Sequence, residues 1–152
     1  MCLDRACANC EGTKCGVQEP VRFEQANGYS HVVVVDHGRL IFISGQVGMN
    51  KDGKMASDFA AQAKQTFTNL KLALAAVGAK PSDLVKINYF VAGLNHDKLV
   101  ALREARDGVI NKEHPPANTL AGVQALFRED AQVEIEAEAV IPRHLRGEAL
   151  SC

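Results

Sequence analysis

Aromatic residues and basic charge are both scarce in this sequence. It has no tryptophan, two tyrosines and six phenylalanines among 152 residues, and 17 lysines and arginines face 18 acidic residues, for a net charge of −1. A protein that holds nucleic acid by its phosphates needs a basic surface, and one that stacks bases needs aromatic side chains. The composition therefore predicts that the chain has no nucleic-acid partner.

Long apolar runs are also missing. No stretch approaches the roughly 20 residues that cross a bilayer. The first 16 residues are small and polar, without the apolar centre of a secretory signal peptide. The sequence therefore predicts no membrane partner and a cytoplasmic location.

Cysteine is absent from the body of the chain. Cys2, Cys7, Cys10 and Cys15 lie near one end and Cys152 at the other, which excludes a disulfide scaffold threaded through a core. The first four are spaced C-x4-C-x2-C-x4-C, and two interpretations stay open: a four-thiolate zinc or iron–sulfur site, or a cysteine-rich tail without metal. The five scattered histidines form no metal pattern, and no phosphate loop or dinucleotide fingerprint occurs. We therefore predict no metal site in the body of the chain and no cofactor.

The length fits one domain. Residues 1–19 lack hydrophobic periodicity and are predicted to be a cysteine-rich tail, residues 20–142 the domain, and residues 143–152 a polar C-terminal tail. Apolar alternation predicts strands at 21–24, 31–36, 39–44, 84–91, 119–126 and 132–141. His37-Gly38 is read as the turn of a hairpin. Helical periodicity predicts one helix from Ser57 or Asp58 to just before Gly78, and a second from about residue 95 to 111.

This order predicts an α+β fold with a mixed sheet and two helices on one face. The strands are apolar on both sides, so the second face also needs cover. No third long helix is available, and a homo-oligomer is therefore expected.

Several short motifs then occur in one order. They are Tyr29, Ser44-Gly45-Gln46, Pro116-Ala117 and the strand 133–137, whose sequence is VEIEA. Over about residues 20–142 the chain resembles the RidA/YjgF family of enamine and imine deaminases. The resemblance implies a chorismate-mutase-like fold with a six-stranded mixed sheet, and a homotrimer with ligand clefts between subunits. It also implies cofactor-free hydrolysis of a small-molecule imine or enamine to a carbonyl product and ammonia.

The resemblance also assigns site residues. Glu134 matches the family's acidic residue, which would orient or activate the attacking water. Tyr29 matches a position at the cleft mouth, where a phenol can bind ligand or water; the alternative is an aromatic that packs at a turn. Ser44, at a strand end before Gly45, can present its hydroxyl and backbone N–H to a ligand; the alternative is a residue that caps the turn. From the residues alone, Glu134 could equally belong to a plain alternation that places carboxylates on a wet face.

One family position differs. An arginine follows the Pro-Ala pair in the best-known members and grips the substrate carboxylate, whereas this chain has Asn118, and Leu120 where those members have cysteine. This difference predicts an arginine-lacking subgroup whose substrate is not 2-aminoacrylate. Arg103, preferred over Arg106 three residues later, is the predicted replacement cation; the alternative is that both form exposed ion pairs. A second hypothesis is a non-catalytic trimeric protein that binds small molecules or regulates.

Overall fold

The computed structural model describes residues 28–142. The predicted tails and the strand predicted at 21–24 lie outside the described residues. The elements are β1 (Arg39–Val47), α1 (Phe59–Ala76), β2 (Leu84–Ala92), α2 (His96–Asp107), β3 (Ala117–Val123) and β4 (Val133–Ile141), with a 3-10 turn, Pro81–Asp83, before β2.

The sheet is mixed and has the strand order β1-β4-β2-β3. Strand β4 runs antiparallel to both of its neighbours, and β3 runs parallel to β2. Strands β1, β2 and β3 therefore share one direction, and α1 and α2 are the crossovers between them. Right-handed crossovers that step the same way across a sheet place their helices on the same face. The α+β fold and the mixed sheet are confirmed.

Helix α1 begins and ends where its sequence predicts. The side chain of Asp58 accepts a hydrogen bond from the Ala61 amide at 2.9 Å, which caps the first turn. Gly78 follows the helix with φ +76°, a conformation that glycine adopts without steric cost. The stripe between them is buried against the sheet and consists of Phe59, Ala63, Phe67, Leu70 and Leu74.

The prediction of a strand at 31–36 is wrong. Ser30 forms a single bridge to Ala117, residues 31–36 form no strand, and Val32, Val34 and Val35 are exposed. Strand β1 pairs with β4 and not with this segment, so the predicted hairpin at His37-Gly38 is also wrong. β-Branched residues fit a pleated surface, but they do not supply a partner strand. The described residues thus form a four-stranded sheet.

The two faces of this sheet differ sharply. The helix-covered face holds the core, including Ile87 and Ile135, which have no exposed surface. The other face we call the open face. Phe42 there is 73% exposed and Leu40 51% exposed. Its members, read from the strand alternation, are Leu40, Phe42, Ser44, Lys86, Asn88, Phe90, Thr119, Glu134, Glu136 and Glu138.

Candidate functional site

Glu134 lies on the open face near the start of β4. It is half-buried between two fully buried neighbours, Val133 and Ile135, and its register partners are Val47 of β1 and Phe90 of β2. A strand whose alternate residues enter the core must present the others to the opposite face. The alternation therefore aims the Glu134 carboxylate away from the helices.

The Glu134 carboxyl group rests directly on Gly45. The pairing of β1 with β4 is irregular between Ile43 and Gln46, and a Cβ placed on Gly45 would lie 2.6 Å from Glu134 Cδ and even closer to Oε1. A side chain at position 45 would collide with the carboxylate. Gly45 is thus the residue that makes room for the acidic group at this point of the sheet.

Two amide side chains of α1, the buried Gln62 and the half-buried Asn69, fix the strand ends beside Glu134. Gln62, 1% exposed, donates to the Asp130 carbonyl at 2.8 Å and accepts from the Gln132 amide at 2.8 Å. Asn69 donates to the carbonyls of Val47 and Met49, both at 2.8 Å. These bonds tie the start of β4 and the end of β1 to one rigid helix, so the position of the carboxylate is set by the core.

Among the described residues, no hydrogen bond or ion pair engages the Glu134 carboxylate. Its neighbour Glu136 differs, since Glu136 accepts from Asn88 Nδ2 at 2.8 Å. Lys86 on the same face donates to Thr119 Oγ1 at 3.0 Å. A carboxylate that is half-buried and unengaged can accept a proton from water or a substrate, as a general base does.

A cavity of about 250 Å³ lies on the open face and contains Ser44. Asn88 Oδ1 is buried there and has no hydrogen-bond partner in the described part of the chain. A buried acceptor without a partner is a place where a ligand or water donor is expected. The polar residues of this cavity are Ser44, Lys86, Asn88, Glu136 and Glu138.

Tyr29 and Asn118 form a second group, at the start of β3. Ser30 donates its amide to the Pro116 carbonyl at 3.1 Å and its hydroxyl to the Pro115 carbonyl at 2.6 Å, and it bridges Ala117. Because this bridge is parallel, Tyr29 lies level with Pro116, and His31 lies level with Asn118. Tyr29 and Asn118, the two predicted ligand-binding residues, are therefore diagonal positions at this edge of the sheet.

This second group does not meet Glu134 within one chain. Asn118 pairs with Ile87 and so lies on the helix-covered side at the sheet edge, whereas Glu134 pairs with Phe90 on the open face. Strand β2 separates β3 from β4, and three residues separate the two positions along it. Strand spacing and rise then put the Cα atoms of Glu134 and Asn118 roughly 14 Å apart. One chain therefore does not bring Glu134 and Asn118 together.

The two arginines of α2 have different environments. Arg103 is exposed, while Arg106 is 9% exposed and its guanidinium lies against Gly28. Sequence reasoning missed this burial, although Arg106 stands four residues after Leu102 on the apolar side of α2, which was the available signal. The structure thus places Arg106, and not Arg103, beside the turn that carries Tyr29.

A buried phenol also faces Arg106. Burial raises the pKa of Tyr89 well above its ordinary value, and the Arg106 charge opposes that rise. The Tyr89 hydroxyl has no hydrogen-bond partner in residues 28–142. The phenol is therefore neutral at physiological pH, and its ring packs near Phe67 at 6.3 Å between ring centroids.

Within residues 28–142, no three His, Cys, Asp or Glu side chains are grouped so that they could hold a metal ion. No helix in that same range is both long and apolar enough to cross a membrane. The cysteine motif lies outside the described residues, so both of its interpretations stay predictions.

Comparisons with known proteins identify the relatives of this chain. The family model described as Endoribonuclease L-PSP matches residues 19–141. A 2-iminobutanoate/2-iminopropanoate deaminase of Escherichia coli K12 is 39% identical over 114 residues, which cover 72% of this chain and 86% of that protein. A protein of the same name from Dermatophagoides farinae is 33% identical over 127 residues, covering 82% and 94%.

A solved structure of a Rid-family protein has a similar fold. The Yersinia pestis protein YyfB, described as a conserved Rid-family protein of unknown function, superposes with a TM-score of 0.67 at 35% identity. The match covers 75% of this chain and 87% of that one.

Proposed function

The chain belongs to the RidA/YjgF family, whose model is described as Endoribonuclease L-PSP, and from this premise we propose that it is a cofactor-free hydrolase of reactive imines and enamines. The observation that carries the proposal is the unengaged Glu134 carboxylate seated on Gly45. Relatives at 33–39% identity are named 2-iminobutanoate/2-iminopropanoate deaminases. These names support the reaction class.

The chemistry needs one base and one water. Glu134 takes a proton from water as the water oxygen bonds to the imine carbon, and the electrons of the carbon–nitrogen π bond move to the nitrogen, which takes a proton from solvent. The proton held by Glu134 then passes to the amine. As the carbon–nitrogen bond breaks and ammonia leaves, the electrons of the hydroxyl O–H bond form the carbonyl, and the hydroxyl proton passes through Glu134 back to solvent. The products are a carbonyl compound and ammonia, and an enamine enters the same route after tautomerising to the imine.

The proposal includes a homotrimer with clefts between subunits. Two observations support it. The open face leaves Phe42 and Leu40 exposed, and apolar area of this kind is ordinarily covered by a partner. Glu134 and Asn118 lie on opposite faces of one chain, so a second subunit is needed to bring a Glu134 and an Asn118 together.

The substrate is proposed to differ from 2-aminoacrylate because Asn118 occupies the arginine position of the best-known members. An amide forms hydrogen bonds but does not neutralise a carboxylate, whereas a guanidinium binds one through two charge-assisted bonds. The open face supplies three glutamates and one lysine, which does not compensate for the missing cation. We therefore propose an imine that is larger or less acidic. Arg103 stays a predicted ligand residue, although its exposure on α2 gives it no support.

The test is ammonia release from imines generated in place by an amino-acid oxidase. Semicarbazide traps free imine, so an active protein should speed ammonia release and lower the yield of semicarbazone. The panel pairs 2-imino acids with imines that lack a carboxylate, and Glu134→Gln is measured beside the wild type. Activity that survives in Glu134→Gln would remove Glu134 from the mechanism.

A second candidate is a non-catalytic trimeric binding or regulatory protein, and the residue that favours it is Asn118. Binding of pyruvate without turnover of any imine would support it. Asn118→Arg separates the two candidates further: in an enzyme, it should strengthen binding of 2-imino acids about tenfold or more, the value of a charge-assisted pair, and raise their turnover. In a binding protein, it should strengthen binding alone.

RNA cleavage is not part of the proposal, despite the printed name of the family model. The net charge is −1, and Glu134, Glu136 and Glu138 share the open face. Carboxylates repel a phosphate backbone. The cytoplasmic location stays a prediction.

A further inference from the structure

Arg106 is a buried cation that the proposed reaction does not use. It is 9% exposed and lies on α2 between buried neighbours such as Leu102 and Ala105. Removing a guanidinium from water is costly unless its surroundings make use of it. Its position therefore calls for a structural or functional reason.

The guanidinium lies against the backbone of Gly28. A Cβ on Gly28 would be 2.5, 2.7 and 2.9 Å from Arg106 Nη2, Cζ and Nη1. Gly28 also has φ +75°, a conformation that side chains rarely adopt. Glycine is thus required at position 28 for two reasons: the backbone conformation of the turn and the close approach of the Arg106 guanidinium.

Arg106 is itself held in place. The carboxylate of Asp107 accepts from Arg106 Nε at 3.1 Å and from Nη2 at 2.8 Å, and Lys112 Nζ lies 2.9 Å from the other oxygen of Asp107. The Lys112 bond and then the Arg106 bond hold the pKa of Asp107 below its usual range. Asp107, itself paired with Lys112, therefore fixes the Arg106 guanidinium against Gly28.

Tyr29 lies between two anchored residues. Gly28 rests on Arg106, and Ser30 is bonded to the carbonyls of Pro115 and Pro116. The tyrosine ring meets His31 edge-on at 5.1 Å between centroids. Because both flanking residues are fixed, the direction of the Tyr29 phenol at the start of β3 depends on each anchor.

We propose that Arg106 is a positioning residue that sets ligand affinity by holding the Gly28–Ser30 turn, and with it the Tyr29 phenol, at the start of β3. The inference rests on the proposed function, in which Tyr29 contacts the ligand. Arg106 itself does not touch the ligand. Its effect should therefore appear in KM, in pyruvate binding and in the mobility of the turn, and not in the chemical step.

The test uses Arg106→Lys, which keeps the charge but replaces the planar group. We expect KM for an imine substrate and Kd for pyruvate to rise roughly 3- to 10-fold, the loss of about one hydrogen bond, with kcat within twofold of wild type. Amide hydrogen exchange at Tyr29 and Ser30 should accelerate. Glu104→Gln on the exposed side of α2 is the control and should change none of these.

A double-mutant cycle decides whether Arg106 acts through Tyr29. In a Tyr29→Phe background, Arg106→Lys should raise KM less than twofold further, because the contact it positions is already gone. An undiminished effect in that background would overturn the proposal. So would a fall in kcat at unchanged KM, or a result equal to that of Glu104→Gln.

If Arg106→Lys does not fold, a second variant tests the same contact. Gly28→Ala inserts a methyl group where the guanidinium lies, and Gly53→Ala is its control, since Gly53 has the same φ of +75° but nothing within 4 Å. Both variants strain the backbone in the same way, but only Gly28→Ala also displaces the Arg106 guanidinium, so KM should rise more in Gly28→Ala than in Gly53→Ala. Equal rises in KM would overturn the proposal. A wild type that neither turns over imines nor binds pyruvate would instead defeat the proposed function, and the exchange rates would still show whether Arg106 holds the turn.

Discussion

The two faces of the sheet are made by the same strands but differ in burial and in how their polar residues are bonded. On the helix-covered face, Gln62 is almost fully buried and bonds to the backbone on both sides of the turn before β4. On the open face, Phe42 is exposed and Glu134 has no hydrogen-bond or ion-pair partner among the described residues. We infer that the helix-covered face supplies the stability of the fold, and we propose that the open face serves subunit assembly and catalysis.

The largest expected effect is that of Glu134→Gln on catalysis. Removing a general base costs about 10²- to 10⁴-fold in rate, so kcat should fall by that factor. The melting temperature should stay close to that of the wild type, because the side chain lies outside the core. Glu138→Gln, on the same face, is the control for a general loss of charge. Equal losses of kcat in the two variants would show that Glu134 has no special role.

The next effect concerns the apolar part of the open face. Phe42→Asp places a charge where a partner subunit is proposed to bury an aromatic ring, and should weaken assembly by about 2 kcal/mol or more. Sedimentation velocity across a dilution series would measure this. Phe127→Asp is a matched control, since Phe127 is 67% exposed against 73% for Phe42. If both variants keep the mass of the wild type, the open face is not the interface.

A change on the helix-covered face should act on stability. Gly48→Ala would place a methyl group 2.5 Å from Gln62 Cα and 2.6 Å from its Cβ, both parts of the helix that cannot swing away. Overpacking of this kind costs about 1–3 kcal/mol in free energy of unfolding. Urea denaturation would show it, with Gly108→Ala as control, because the nearest atom there is 3.8 Å away. If Gly48→Ala leaves the free energy of unfolding unchanged, the chain at Gly48 is not packed tightly against α1.

The smallest effect comes from the ion pairs at the end of α2. Because the folded-state pKa of Asp107 is lowered, its contribution to stability is present above the unfolded value near 3.9 and is lost as the pH falls through the lower folded value. Its side chain is 39% exposed, so solvent screening keeps the contribution below about 1 kcal/mol. Asp107→Asn should therefore lower stability slightly at pH 7, and this difference should shrink as the pH falls below about 4. A difference that does not shrink on acidification would point to packing instead of charge.

Most of the fold could be predicted, because it depends on local pattern. The spacing of Phe59, Ala63, Phe67, Leu70 and Leu74, with Asp58 before it and Gly78 after it, defines α1 without reference to any other element. The alternation in β4 likewise assigns Glu134 and Ile135 to opposite faces. The two failures, at residues 31–36 and at Arg106, share one cause: each depends on what lies beside a segment in space.

The sequence by itself determined the two helices, the four strands of the mixed sheet, and the family, since periodicity, capping residues and short motifs are properties of neighbouring residues along the chain. Only the tertiary structure decided that β1 pairs with β4, that Gly45 gives room to the Glu134 carboxylate, and that Asn118 and Glu134 lie on opposite faces. Strand order and side-chain contact depend on residues far apart in the chain, which no local pattern records.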